Sequence, residues 1–292
     1  MADTLTTQIA ETVQEIITAT VELIPQKAPM PNLCTRYNIP KGHDRVEIPR
    51  VNATFSVQTP TEGDELSTGQ AFDLTSTTIQ PTRRAIIVRV DERPTYFSKE
   101  DIIKLVSNEI SRAQAQDIDT DLTAEFSNMG LTAGSSNTDL TIAALRTAMR
   151  KLQSNTVANG GPAPTPLMFV GSPLVMEDLM TNIGLQGVVA STSPWIPDGL
   201  SADVLKNYHV PQNHLVGIDL FWDGYMTEDG SGDFICGMYA KELLWLAISK
   251  DWDMKTFEVP QFIGTYIRTV ADYNSGLSSF TNWGVKVTAD GV

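Results

Sequence analysis

Two runs of alternating hydrophobicity flank an acidic, turn-rich tip, and few folds can accommodate that pattern. From Arg45 the apolar residues fall two apart at Val46 and Ile48, change phase at Pro49-Arg50, and resume at Val51, Ala53, Phe55 and Val57. This is the spacing of a half-buried strand with a bulge. A second run over 72–90 ends in the dense apolar stretch 85–90, and the residues between the runs, 59–70, are rich in Thr, Gly, Asp and Glu. The pattern predicts one long hairpin over 46–90, whose arms at about 3.3 Å per residue reach roughly 40 Å. An isolated two-stranded ribbon is marginal in water, so one this long requires a surface to lie on. Glu62, Asp64 and Glu65 mark its tip, and Arg83 and Arg84 stand near its base. Such a ribbon can sit head to tail on a neighbouring copy, acid against base, with charge fixing register more than raising affinity. The alternative is scattered, solvated surface charge.

The flanking segments are elongated too. Over 4–24, Leu5, Ile9, Val13, Ile16 and Leu23/Ile24 recur at three-to-four spacing behind Asp3, and Pro25 closes the segment. That predicts an amphipathic helix, followed by a stiff strap from Pro25 to Pro31. Its apolar stripe is buried either on its own domain or on another copy. After the hairpin, Ser98 with Asp101 three residues on forms a capping box that opens a helix running to Gly130. Ile102, Val106, Ile110 and Ala113 make one stripe, and Ala115, Ile118, Leu122, Phe126 and Met129 a second, rotated about the axis. Some thirty residues at about 1.5 Å each give roughly 45 Å of rod. Asp117, Asp119 and Asp121 imitate the first three ligands of a calcium loop. Leu122 then stands where glycine is required and Asn128 where a bidentate Glu belongs, so the reading is solvated aspartates pointing in different directions.

From Leu131 the composition is mixed α/β. A helix is expected over 140–152, capped at Thr138 or Asp139. The proline-rich loop 160–166 leads to a buried strand at 167–170 and then a helix at 174–182. The stretch 184–199 is a long loop, the kind of length that usually signals contact. A short helical piece follows at 201–207, then strands near 215–222 and 234–239, joined across the tight turn 229–233. A strand with a Pro/Gly interruption is expected over 257–270, and the last hairpin pairs 270–273 with 284–287.

The 292 residues, at about 150 per domain, allow one large or two modest domains. With 35 Asp and Glu against 21 Lys and Arg, the net charge of -14 opposes a protein that grips nucleic acid through phosphates. No apolar run reaches the length of a membrane span, and the start has no cationic region, so a soluble chain made in the cytosol is expected. Cys34 and Cys236 are far apart and without Cys or His neighbours, which predicts free, buried thiols. The sequence has no GxSxG, GxxxxGK[ST], HExxH or GxGxxG pattern. His209 and His214 flank a Val-Pro pair without a third donor and read as loop histidines. Neither a catalytic residue nor a cofactor or metal site is expected.

The order of parts is specific: a terminal arm, the hairpin segment TEGDELSTGQAFDLTSTTIQPTRRAIIVRVDE, the rod KEDIIKLVSNEISRAQAQDIDTDLTAEF, an α/β region and closing strands. This resembles the major capsid proteins of tailed bacteriophages, the Hong Kong 97 fold, and by layout the resemblance covers essentially the whole chain. It implies an α+β fold with an N-terminal arm at 1–45, an E-loop hairpin at 46–90 and a peripheral domain with its spine helix at 91–130. An axial domain at 131–255 and peripheral C-terminal strands at 256–292 complete the layout. The resemblance further implies self-assembly into hexamers and pentamers of a virion shell enclosing double-stranded DNA, built in the host cytoplasm. The implied partners are portal, scaffolding or decoration proteins, with no membrane. Inter-subunit contacts are expected at Leu5, Ile9, Val13, Ile16, Glu62, Asp64, Glu65, Arg83 and Arg84, and at Trp195 in the loop 184–200, which would line the five-fold and quasi-six-fold axes. The founding member joins subunits by an isopeptide from an E-loop lysine. This chain has no lysine between Lys41 and Lys99, so no such crosslink is expected. The arm begins at Met1, from which any scaffolding is expected to be a separate protein. Three other readings are an encapsulin-like nanocompartment of the same fold, a soluble α/β enzyme, and a tail or decoration protein.

Overall fold

Strands dominate the backbone. In chain order they are β1 (Thr35–Asn38), β2 (Val46–Val51), β3 (Leu74–Ile79), β4 (Thr82–Asp91), β5 (Leu131–Gly134), β6 (Leu167–Gly171), β7 (His214–Leu215), β8 (Ile218–Trp222), β9 (Asp233–Ala240), β10 (Leu244–Glu258), β11 (Gly264–Leu277) and β12 (Gly284–Asp290). The helices are α1 (Ile102–Ala124), α2 (Ile142–Gln153) and α3 (173–180). The computed structural model describes residues 29–51, 57, 59, 74–91, 102–156, 160–180, 214–215, 218–226, 228–229, 231–258 and 264–291. The expected N-terminal helix, the acidic tip, the capping box at Ser98 and the loop 184–200 lie outside them. Among the described residues no helix is long and apolar enough to cross a membrane.

The chain forms two units, each interleaved from distant stretches of sequence. One comprises residues 1–46, 79–124 and 245–276, and the other 47–78, 125–244 and 277–292. In the first unit, four strands run in the order β1-β10-β11-β4. β11 alternates strictly: Ile267, Thr269, Ala271 and Tyr273 are buried and Arg268 is exposed, with Ile267 opposite Val88 and Tyr273 opposite Thr82. Its buried face meets α1, where Ile110 packs on Ile267 together with Val88, Val90, Val106 and Met254.

The buried face of α1 is a straight stripe: Ile110, Ser111, Gln114, Ala115, Ile118, Asp119, Leu122 and Thr123. The sequence predicts two rotated stripes instead, and Ala113, assigned to the first, is exposed. The difference arises because Ser111, Gln114 and Asp119 occupy buried positions, so an apolar-only pattern breaks where the real face continues. The rod also tightens into a 3-10 turn over Glu125–Asn128 before Gly130. Glycine is required at 130 by close approach: its N–H donates to the Thr281 carbonyl at 2.9 Å, and a Cβ there would lie 2.2 Å from Asn282.

In the second unit the sheet order is β5-β12-β9-β6-β8-β7. All five residues of β6 are buried, as its unbroken apolar sequence requires of a central strand. Phe169, Leu145, Leu152, Val175, Leu179, Met238, Val285 and Val287 belong to one core cluster. α2 starts one turn later than expected, with the Thr141 hydroxyl accepting from the Ala144 N–H at 3.2 Å. Phe126 reaches the sheet from the 3-10 turn. Its ring lies 5.6 Å from that of Tyr239 and covers Gly237, where a Cβ would approach within 2.8 Å.

Four expectations about pairing are corrected. The long hairpin stops short, because only β2 and β3 pair, as a separate two-stranded sheet, while β4 leaves at Gln80-Pro81 and joins β11. Proline without an N–H donor suits such a break. The runs joined by the turn 229–233 are not sheet neighbours, since β6 lies between β8 and β9. The turn itself is as expected: the Asp229 carboxylate accepts from the Ser231 N–H at 2.7 Å, and Gly232 takes a φ of +91°. The final hairpin does not form, because β12 inserts between β5 and β9. The stretch 256–292 is consequently split, with 277–292 in the second unit and 245–255 in the first.

Truncating Phe126, which is fully buried, to Ala is expected to lower subunit stability by about 3–5 kcal/mol. Urea denaturation of the unassembled subunit checks this, and a loss below about 1 kcal/mol would show the pocket collapsing around the change.

Candidate assembly surfaces

The β2–β3 ribbon has six residues per strand, so at about 3.3 Å each it spans roughly 20 Å. Among the described residues no third strand pairs with it. Its anchored end is apolar, with Val46, Ile48 and Ile79 buried, and the Ile79 side chain fills the space over Gly276. A hydroxyl pair, Thr77 with Ser279 at 2.7 Å, adds to that anchorage. Leu74, at the other end, is 53% exposed.

Of the residues singled out from sequence, Leu5, Ile9, Val13, Ile16, Glu62, Asp64, Glu65 and Trp195 lie outside the described residues. Arg83 and Arg84, neighbours in sequence, point to opposite faces of β4. Arg84 turns inward and is engaged by its own chain. Its guanidinium reaches the Asp121 carboxylate at 2.5 Å and Asp117 at 3.6 Å, and stands 5.9 Å over the ring of Tyr273. The Tyr273 hydroxyl donates to Asp117. Asp117 and Asp121 are one helical turn apart and so share a face, correcting the expectation that the aspartates diverge. Asp119 is the member that points elsewhere, into the buried stripe. This triad of elements fastens α1 to β4 and β11.

Arg83 faces outward, three-quarters exposed, paired with Asp272 at 3.0 Å. The fold brings to it three cations that sequence gave no reason to group: Lys250, Lys255 and Arg268. With Ala85, Val270 and Asp253 they line a cleft of about 310 Å³ on the outer face of the first unit's sheet. Lys250 holds Asp253 at 2.8 Å and Lys255 lies 3.8 Å from the same carboxylate. These contacts hold Asp253 below the usual carboxylate range, the Lys250 hydrogen bond contributing most. Beside the cleft, Phe257 stacks on Tyr266 at 5.5 Å and Arg268 stands 6.0 Å over Phe257. The signal that groups these residues is outward alternation along paired strands, which can be used only once the pairing of β4 with β11 is known.

Reaction chemistry finds little to work with. Cys34 and Cys236 are free and buried as expected, and burial pushes the Cys236 thiol up to about 12, away from any thiolate role. Burial also raises the carboxyls of Asp223 and Asp178; Asp139, Glu177 and Asp290 add to the second. Among the described residues no group of three or more metal-ligating side chains converges.

No protein-family profile and no curated protein matches the chain. Solved structures do. The head of Helicobacter pylori bacteriophage KHP40 is similar with a TM-score of 0.66 at 10% identity, over 91% of each chain. The capsid of Ralstonia phage GP4 gives 0.66 at 11% identity, over 89% of this chain and 87% of that one. A shell protein of another kind, the SrpI encapsulin of Synechococcus elongatus, gives 0.61 at 9% identity, over 90% and 87%.

Replacing Arg84 by Gln strands two carboxylates on one helical turn and is expected to cost about 1–3 kcal/mol. Arg83→Gln, at an exposed pair, is expected to cost under about 1 kcal/mol. Chemical denaturation of the two variants compares them directly. The pH response of Tyr273 has a definite sign. Burial, then its bond to Asp117, raises its pKa in the folded state, so its contribution is complete below the unfolded value near 10 and is lost as pH climbs above it. Stability measured from pH 8 to 11 should fall beyond about pH 10, and Tyr273→Phe should flatten that fall. In its sheet order, its central rod and the extent of its likeness to these shell proteins, the chain has the α+β Hong Kong 97-like capsid fold.

Proposed function

We propose that this chain is the structural subunit of an icosahedral shell, the major capsid protein of a tailed bacteriophage. The observation that carries the proposal is a likeness to phage head and capsid chains spanning about nine-tenths of both partners. A graft of one shared module would leave much of either chain unmatched.

On this reading the unit built on α1 and β1-β10-β11-β4 is the peripheral domain, and the six-stranded unit is the axial domain. Residues 1–45 are the arm, the β2–β3 ribbon with the residues between its strands is the E-loop, and 184–200, with Trp195, faces the symmetry axes. The mechanism is thermodynamic. Arm and ribbon gain burial only on neighbouring copies, so folding is completed by assembly, and the linkage raises apparent stability with concentration. Hexamers and pentamers close the shell around double-stranded DNA. A net charge of -14 per copy leaves the wall weakly attractive to that DNA, so the genome packs without being trapped on it. Portal, scaffolding and decoration proteins are its natural partners, the virion its location, and no catalysis is assigned to it.

The encapsulin likeness favours a second reading, a nanocompartment holding protein cargo. Native particles separate the two: nucleic-acid absorbance supports the capsid, and co-purified enzyme supports the compartment.

Expressed alone and viewed in negative stain, the protein should form large, closed, uniform particles. A monodisperse monomer at high concentration, or open fibres, would overturn the proposal. Deleting residues 1–24 should spare solubility and lower the melting temperature of the particle; an unchanged particle melt would remove the arm from the mechanism.

A further inference from the structure

We propose that the basic cleft on the outer face of the β1-β10-β11-β4 sheet is the seat of the acidic segment 62–65 of a second copy of this chain. The inference rests on the shell reading and names the groups that set its subunit register.

The charge distribution is the first ground. In a chain where acids outnumber bases 35 to 21, four cations, Arg83, Lys250, Lys255 and Arg268, converge on one cleft against a single lining carboxylate, Asp253. Asp272 draws on Arg83 alone, and Asp253 on the two lysines, so two carboxylates are spread over four cations. Arg268 contacts an aromatic face. The site therefore keeps a surplus of positive charge and a guanidinium free to receive a carboxylate, which Arg can do through two parallel N–H donors.

The cleft's other walls select the kind of anion. Its floor is apolar, Ala85 and Val270, and Ile87, 60% exposed, follows Ala85 two residues along the same face of β4. Duplex DNA offers a uniform row of phosphates, which would meet Asp253 as well as the cations and would leave the apolar floor unfilled. An acidic peptide with an apolar residue matches better. The segment Glu62-Gly-Asp64-Glu65-Leu66 carries three carboxylates and one leucine within five residues. It is the most compact acidic cluster in the stretch between β2 and β3, and three carboxylates answer the cleft's surplus. Pairing acid with base at both ends of each copy specifies a head-to-tail register, and a one-place slip sets like charges against each other.

The test compares closed-particle yield at low salt for wild type, a tip variant (Glu62→Lys, Asp64→Lys, Glu65→Lys), a cleft variant (Arg83→Glu, Lys255→Glu, Arg268→Glu) and an equimolar mixture of the two variants. Each variant alone should lose roughly tenfold or more in yield, because every tip then meets a cleft of its own sign. The mixture should recover, since reversed tips fit reversed clefts and native tips fit native clefts on alternating copies. The milder pair Lys255→Gln and Arg268→Gln should move wild-type yield toward the low-salt deficit, and circular dichroism of every variant should match the wild-type subunit. Raising salt to about 1 M shrinks the Debye length to roughly 3 Å and should narrow the gap between variants and wild type.

Three results would overturn the docking. Unchanged yield in either folded variant removes the contact. No recovery in the mixture, with recovery when both sets of changes lie in one chain, places the tip on its own cleft. Retardation of a short DNA duplex by wild type at low salt, abolished in the cleft variant while the tip variant assembles normally, assigns the cleft to phosphate. Failure of wild type itself to make closed particles would instead defeat the shell reading, and the docking with it.

Discussion

A ribbon of two six-residue strands does not hold itself together in water. Each strand satisfies only half of its backbone groups along the pair, and the apolar residues at one end are all that fix it to the rest of the chain. Val46, Ile48 and Ile79 supply that anchor, while Leu74 stands exposed at the other end. A monomer gains nothing from carrying such an element into solvent. A closed assembly of copies does, because every ribbon then finds a second surface and every surface is used once. The remainder of the structure can be understood as the stiff support that makes such a ribbon worth having.

That support comes from interleaving. Each unit is made of three separate stretches of chain, so neither can be completed until residues hundreds of positions apart have met. In one unit β11 closes on β4 from across the sequence, and Arg84 binds the aspartates of α1 beneath them. In the other, the last strand, β12, is inserted between β5 and β9 rather than added at an edge. Such non-local pairing slows folding but yields a body whose parts cannot peel away one at a time. A shell wall under load from packed DNA has use for that property.

Much of this layout was legible in the chain, and the errors have physical causes. The order of ribbon, rod and α/β region follows from changes of hydrophobic period, a local property that survives folding. The buried strand β6 was visible as an unbroken apolar run, and the turn at Asp229 from its Asp and Gly residues. Partner choice was not visible, because it depends on sequence-distant edges: β4 reads as an arm of the hairpin until β11 claims it, and β12 reads as the mate of β11 until β9 does. The buried face of α1 was missed where Ser111, Gln114 and Asp119 lie among the apolar residues. The basic cleft was half seen. Arg83 stood out beside Arg84, but alternation sends the two to opposite faces, and the outward one gains its company only from strands more than 150 residues away.

The account rests on subunits finishing their fold on one another. A cryo-electron microscopy reconstruction of the assembled protein tests this most directly, because it places the β2–β3 ribbon and the residues between its strands against whatever covers them. The ribbon should lie on a second chain, with the acidic segment over a basic sheet face that is not its own. A ribbon folded back on its own polypeptide and touching no neighbour would contradict the account.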